Sequence, residues 1–104
     1  MSVVQLRGGV PCVFLETINA TTGREHHFGV NLFYMVARNL GANPVKLYFT
    51  AEDFAGDVNY VTLPVKAATD PHGEWKGPVE ASRVWLKATA ATSAVEIVGF
   101  QRRG

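Results

Sequence analysis

The sequence holds a single cysteine, Cys12, so no disulfide can close within the chain and an oxidising destination is not implied. It also lacks long apolar runs. None of its hydrophobic stretches approaches the roughly 18 residues that a membrane-spanning helix needs. No basic, apolar and cleavable leader pattern opens the chain, which makes synthesis in the cytoplasm the expectation. An excess of one charge is missing as well. Ten basic and nine acidic residues leave a formal net charge of +1, interspersed along the chain. That balance builds no long-range field, so neither nucleic acid nor an anionic membrane is expected as a partner. The one basic pair, Arg102-Arg103, reads as solvated charge.

Motifs of catalysis are absent too. There is no Gly-x-Ser-x-Gly and no glycine run placed to cradle a phosphate, and Ser2, Ser82 and Ser93 stand outside any nucleophile motif. The histidines are His26, His27 and His72. Adjacent residues on a strand point to opposite faces, so His26-His27 is a poor metal pair, and surface histidines are the expectation. Glu52, Asp53, Asp57 and Asn59 gather around Gly56 without the spacing of a calcium loop, and capping and turn chemistry account for them. Cys12 lies inside the apolar run 10–15, where a thiol acts as a small hydrophobe. The expectation is a protein that is not an enzyme and takes no cofactor and no metal.

What is present is a β-rich pattern. The 104 residues are one domain's worth, and a hydrophobic share of 47% suffices for one core. Short apolar or alternating runs recur every ten residues or so, punctuated by Gly, Asn, Pro and Asp. They predict about eight strands, over Val3–Leu6, Val10–Ile18, Glu25–Val30, Leu32–Arg38, Val45–Thr50, Val58–Val65, Val79–Lys87 and Ala94–Gln101. That spacing predicts an all-β domain over 1–104: one antiparallel sandwich, with the jelly roll as a variant and 1–9 as an extended N-terminal arm.

Alternation puts Val45, Leu47 and Phe49 on a core face and Lys46, Tyr48 and Thr50 on a wetter one. Pro64, which has no N–H to donate, predicts an edge strand or a strand end. The turn Asn39–Pro44 predicts a hairpin between 32–38 and 45–50, and Ala20–Gly23 a second turn. Thr50 can cap one helical turn near Ala51–Ala55, with Asp53 three residues on and Gly56 to close it. The segment Ala67–Pro78 is the longest expected loop. The run 94–100, apolar on both faces after Glu96, predicts a central strand or one covered by another subunit.

The aromatic residues offer the candidate contacts. If Val84 and Leu86 face the core, Trp85 stands on the opposite face between the cations Arg83 and Lys87. A tryptophan in that setting can anchor an interface or stack on a sugar. Trp75 sits among Pro and Gly residues in the expected loop.

From about Leu32 to Gly104 the chain resembles small β-sandwich virion proteins of tailed bacteriophages. The matching pieces are 37–49, an asparagine turn followed by an extended apolar strand, then Val61-Thr62-Leu63-Pro64, Trp75-Lys76-Gly77-Pro78-Val79, Val84-Trp85-Leu86-Lys87-Ala88 and the closing strand 95–100. The likeness is one of layout over two-thirds of the chain. It implies a capsid decoration (cement) subunit, or a related head or tail protein, located in the virion. It also implies partnership with further copies of itself, a trimer foremost, and with the major capsid protein. The contact residues this suggests are Arg83, Trp85, Lys87 and Trp75, with Ser2, Val3, Val4 and Arg7 of the arm. A carbohydrate-binding or host-attachment module, stacking sugars on Trp75, Trp85 and Tyr60, is the alternative.

Overall fold

Six antiparallel strands and one short helix account for most of the residues that the computed structural model describes, which are 9–65 and 73–102, with backbone alone at 9–11 and 102. The strands are β1 (Gly9–Asn19), β2 (Arg24–Asn39), β3 (Val45–Tyr48), β4 (Val61–Leu63), β5 (Glu74–Ala88) and β6 (Thr92–Arg102), and the helix α1 (Ala51–Gly56) lies between β3 and β4. The expected strand Val3–Leu6, most of the arm 1–9 and the loop residues 67–72, His72 among them, lie outside the described residues. The all-β prediction holds. Its count and layering change: six described strands form one sheet, in the order β1-β6-β2-β5-β3-β4, where a jelly roll has eight in two sheets.

One sheet makes two layers because β2 and β5 are long and bent. The C-terminal half of β2 pairs with β6 and with the start of β5, from Arg38↔Glu74 to Leu32↔Ala81. Its N-terminal half pairs with the end of β5, from His27↔Arg83 to Arg24↔Leu86. Between the halves the register slips twice, at His27/Leu32 and Leu32/Tyr34, and Gly29 takes φ +80°. A bulge of this kind turns a strand sharply and carries it from one layer into the next. Beyond the bend, His26 lies against Phe14 of β1, ring centroids 4.2 Å apart, although β6 separates β1 from β2 in the sheet. The sequence predicts two strands, Glu25–Val30 and Leu32–Arg38; the structure joins them into one, with its corner around Gly29.

The core fills the space between the layers. Phe14, Ile18, Leu32, Met35, Ala37, Val45, Leu47, Leu63, Val84, Leu86, Val95 and Ile97 form one buried cluster, and Ala88 joins it. The core alternation expected for β3 holds at Val45 and Leu47. Phe49 lies past the end of the strand, half-buried against Trp75 at 5.6 Å. β6, expected to be central, runs between β1 and β2. β4 is an edge strand that stops just before Pro64, as its missing N–H demands.

Asn39-Pro44 is a turn, but not a hairpin: β5 lies between β2 and β3. Buried Asn39 explains its shape. Its side-chain amide donates to the carbonyls of Asn43 (2.7 Å) and Leu63 (3.1 Å), and its oxygen accepts from the Gly41 N–H (3.0 Å) and the Ser93 hydroxyl (2.7 Å). This one residue ties the end of β2 to β4 and β6. At the second turn, Asn19 accepts from the N–H groups of Thr21, Thr22 and Gly23. The helix starts as predicted, with the Thr50 hydroxyl accepting from the Asp53 N–H at 3.0 Å. It closes one residue later than predicted, on Asp57 in the left-handed conformation rather than on Gly56.

Candidate interaction surface

The expected face alternation in β5 is correct, and Trp85 is nonetheless buried. Val84 and Leu86 face the core, and Arg83, Trp85 and Lys87 share the other side. Trp85 is only 8% exposed. Its cross-strand neighbour Tyr48 is fully buried, with Phe54 of α1 and Tyr60 edge-on to its ring at 5.2 and 5.5 Å. The helix and the segment after it roof this part of the outer face, which the sequence reading left open to solvent and in which it expected Tyr48 to be wet. Trp85 is therefore a packing residue and does not present a contact surface. Arg83 remains exposed and pairs with Glu25 at 3.2 Å. Lys87 is half-buried. Ser2, Val3, Val4 and Arg7 lie outside the described residues.

Trp75 lies on β5, not in a loop. With Phe49, Pro78, Val79 and Glu80 it lines an open groove of about 380 Å³ beside the bend. The groove joins aromatic faces to one carboxylate. Tyr60 lies apart from it, its ring beneath the Lys46 ammonium at 4.7 Å.

A polar cluster follows the helix. Asp57 accepts from the buried Tyr48 hydroxyl at 2.5 Å and from Lys46 through both oxygens at 3.1 Å. The Tyr48 hydrogen bond, then the Lys46 ammonium, hold the Asp57 carboxyl below its ordinary range. Burial, reinforced by Asp57, pushes the Tyr48 hydroxyl well above its ordinary value. Asn59 donates to Asp53 at 3.2 Å. Asp53 and Asp57, two of the acids that gather around Gly56 in sequence, are thus spent on structure. Among the described residues, no three of His, Cys, Asp and Glu stand close enough to hold a metal ion. His26 and His27 point oppositely, as a strand requires. His27 meets Glu25 at 3.1 Å, whereas His26 is half-buried between Phe14 and Phe28, not a surface residue.

The feature that sequence reading missed is the free edge of β1. This strand is 11 residues long and, among the described residues, ends the sheet on one side. Its hydrogen-bond phase follows from its far end, where the Ala20 N–H donates to Ala91 O at 3.1 Å in the same register. Antiparallel partners alternate between bonded and non-bonded pairs, so even-numbered residues of β1 bond β6 and odd-numbered ones turn outward. The other side of β6 agrees, because the Leu40 N–H takes Ala94 O. Val13, Leu15 and Thr17 therefore offer their N–H and C=O groups to the free edge, and Pro11 offers a carbonyl alone.

The side chains at this edge are apolar: Val13 is 65% and Leu15 60% exposed. No Lys or Arg occurs in β1, and Glu16 is its one charge. Proteins normally blunt such an edge with charges, bulges or brevity. The opposite edge, β4, is blunted in that way, with three residues and a proline after them. The signal was in the sequence, since 10–15 is apolar on both faces, a pattern that marks a covered strand.

Comparison with known protein families, curated proteins and solved structures gives no match for this chain.

Proposed function

We propose that this protein is a non-enzymatic structural subunit that works by assembling through its surfaces. The observation that carries this reading is the edge of β1, long, apolar and unpaired among the described residues, where the other edge of the sheet is short and blunted. An edge of that kind gains main-chain hydrogen bonds and apolar burial together when a second strand lies against it.

At a finer level, the subunit is a capsid decoration protein of a tailed-phage virion, following the resemblance of residues 32–104. It would bind neighbouring major capsid proteins and its own copies, bridge them, and oppose expansion of the shell under packaged DNA. At roughly 25 cal/mol per Å² of apolar area, modest contacts repeated around a shell sum to a large resistance. Two measurements test the reading. Light scattering after gel filtration should give a mass above that of a single chain. Sedimentation with tailed-phage capsids stripped of their decoration should carry the protein into the pellet. A monomer that stays in the supernatant would overturn it.

The groove beside Trp75 favours a second reading, a carbohydrate-binding module of a fibre or tail. With Trp85 buried, Trp75 is the indole that a sugar could reach. Titration with host polysaccharide should then quench tryptophan fluorescence, and Trp75→Ala should abolish the change. A flat titration would remove this alternative.

A further inference from the structure

The β1 edge specifies its own partner. We infer that two copies of this chain pair through β1 in antiparallel fashion, about a two-fold axis that passes beside Leu15. The inference rests on the assembly reading above and supplies its geometry.

Three constraints select the register. Hydrogen-bonded pairing across the axis must match outward-facing residues with outward-facing residues, which here are odd-numbered. Side chains directly opposite share a face, so the sum of paired numbers must be even. The candidates are thus centred on Val13, Phe14, Leu15 or Glu16. A centre at Glu16 sets two carboxylates directly against each other and is disfavoured. A centre at Val13 pairs only 9–17 and sets Pro11 against Leu15. A centre at Phe14 pairs 9–19 but leaves Glu16 facing Cys12 and sets Pro11, which lacks an N–H, against Thr17 inside the ladder.

The centre at Leu15 pairs Leu15 with its own copy, Val13 with Thr17 and Pro11 with Asn19. It pairs residues 11–19 and leaves the proline at its ends. Charge selects the same register. Glu16 falls opposite Phe14 of the second copy, in a closely spaced non-hydrogen-bonded pair. The Arg24 guanidinium lies over the Phe14 ring, 5.9 Å from its centroid, and bonds Glu16 of its own chain at 3.0 Å. Each Glu16 then stands between two arginines, one from each copy, and each Arg24 between two carboxylates. Unlike charges alternate around the axis. The apolar pair Val13 and Leu15, outward on one copy, meets its equivalent on the other.

Cross-linking tests the register directly. In a Cys12→Ala background, Leu15→Cys should oxidise to a disulfide-linked dimer, and Val13→Cys alone should not. A mixture of Val13→Cys and Thr17→Cys proteins should cross-link with each other. Glu16→Arg should weaken self-association by at least about ten-fold, and adding Arg24→Glu should restore it. Both residues are half-exposed, so folding is preserved in these variants. Self-linking of Val13→Cys, or linkage of Val13→Cys to Leu15→Cys, would overturn the Leu15 centre. A trimeric solution mass would overturn two-fold pairing and leave the assembly reading standing. A monomer at every concentration that also fails to bind capsids would end both.

Discussion

At the scale of single residues, the structure turns on polar groups whose partners are distant in sequence. Asn39 satisfies four partners at once, of which Leu63 and Ser93 are distant, and replacing it with Ala leaves carbonyls and a buried hydroxyl unpaired. Each orphaned buried group costs about 1–3 kcal/mol, so Asn39→Ala should destabilise the fold by about 3 kcal/mol in urea unfolding. A change within about 0.5 kcal/mol would mean that water replaces the clasp. Trp85→Ala should likewise cost about 3 kcal/mol, the signature of a packed indole and not of a contact residue.

His26 carries a pH dependence. Burial, then the charge of Arg24 and of His27, push its imidazole below the ordinary value of 6.5, with Glu16 opposing. Its folded value being depressed, the unfolded chain takes up the proton first as pH falls. Stability is therefore complete above 6.5 and declines as pH drops through that value toward the folded one. Asp57, depressed in the same sense, adds a second decline below the ordinary carboxylate value of 3.8. Unfolding followed from about pH 8 to pH 5 should show the first loss, and His26→Phe should flatten it. None of these roles was legible in the sequence, because Asn39 looked like one more turn residue and His26 like surface.

At the scale of elements, alternation placed every described strand, with ends shifted by a few residues, and Thr50 placed the helix. What local pattern could not show was the joining of 25–30 and 32–38 into one bent strand. Gly29 reads as punctuation in either case; a loop and a bulge ask for the same residue. Nor could it show the roof that α1 makes over Tyr48 and Trp85, since a one-turn helix announces its cap and not its target. Two glycine substitutions separate the backbone requirements. Gly29→Ala meets no neighbouring atom and carries only the penalty of φ +80°, about 1–2 kcal/mol. Gly41→Ala would drive its methyl group into the Ser93 hydroxyl and to within 2.7 Å of the Ala94 nitrogen. It should cost more than Gly29→Ala in the same unfolding assay, and the reverse order would mean that the clasp around Asn39 yields easily.

At the scale of the whole molecule, the chain is legible as an all-β unit. The particular surface was not legible, because exposure depends on which strand ends the sheet, and strand order is a long-range property. Trp85 has the size and basic neighbours of an interface residue yet is buried, whereas Val13 and Leu15 have the apolar character of core yet are exposed. Val13→Lys with Leu15→Lys should turn the β1 edge into a charged, blunted one. The solution mass should then fall to that of one chain, with unfolding in urea shifted by less than about 1 kcal/mol, because both side chains are exposed. A multimer that survives this change would locate assembly elsewhere.

The partner of β1 within its own chain is β6, residue for residue from Gly9↔Arg102 to Asn19↔Thr92. On the ribosome, the earliest described strand must therefore wait for the latest described one. At roughly 5–20 residues per second, the run from Val10 to Ile18 stays unpaired for several seconds while the strands between are made. During that interval both of its edges are open, and the nascent chain is as ready to bind a neighbouring nascent copy, or a holdase, as to complete itself. Polysomes crowded with this message would be where its hydrophobic first strand is most at risk, and where the timing of its last eleven-residue strand matters most.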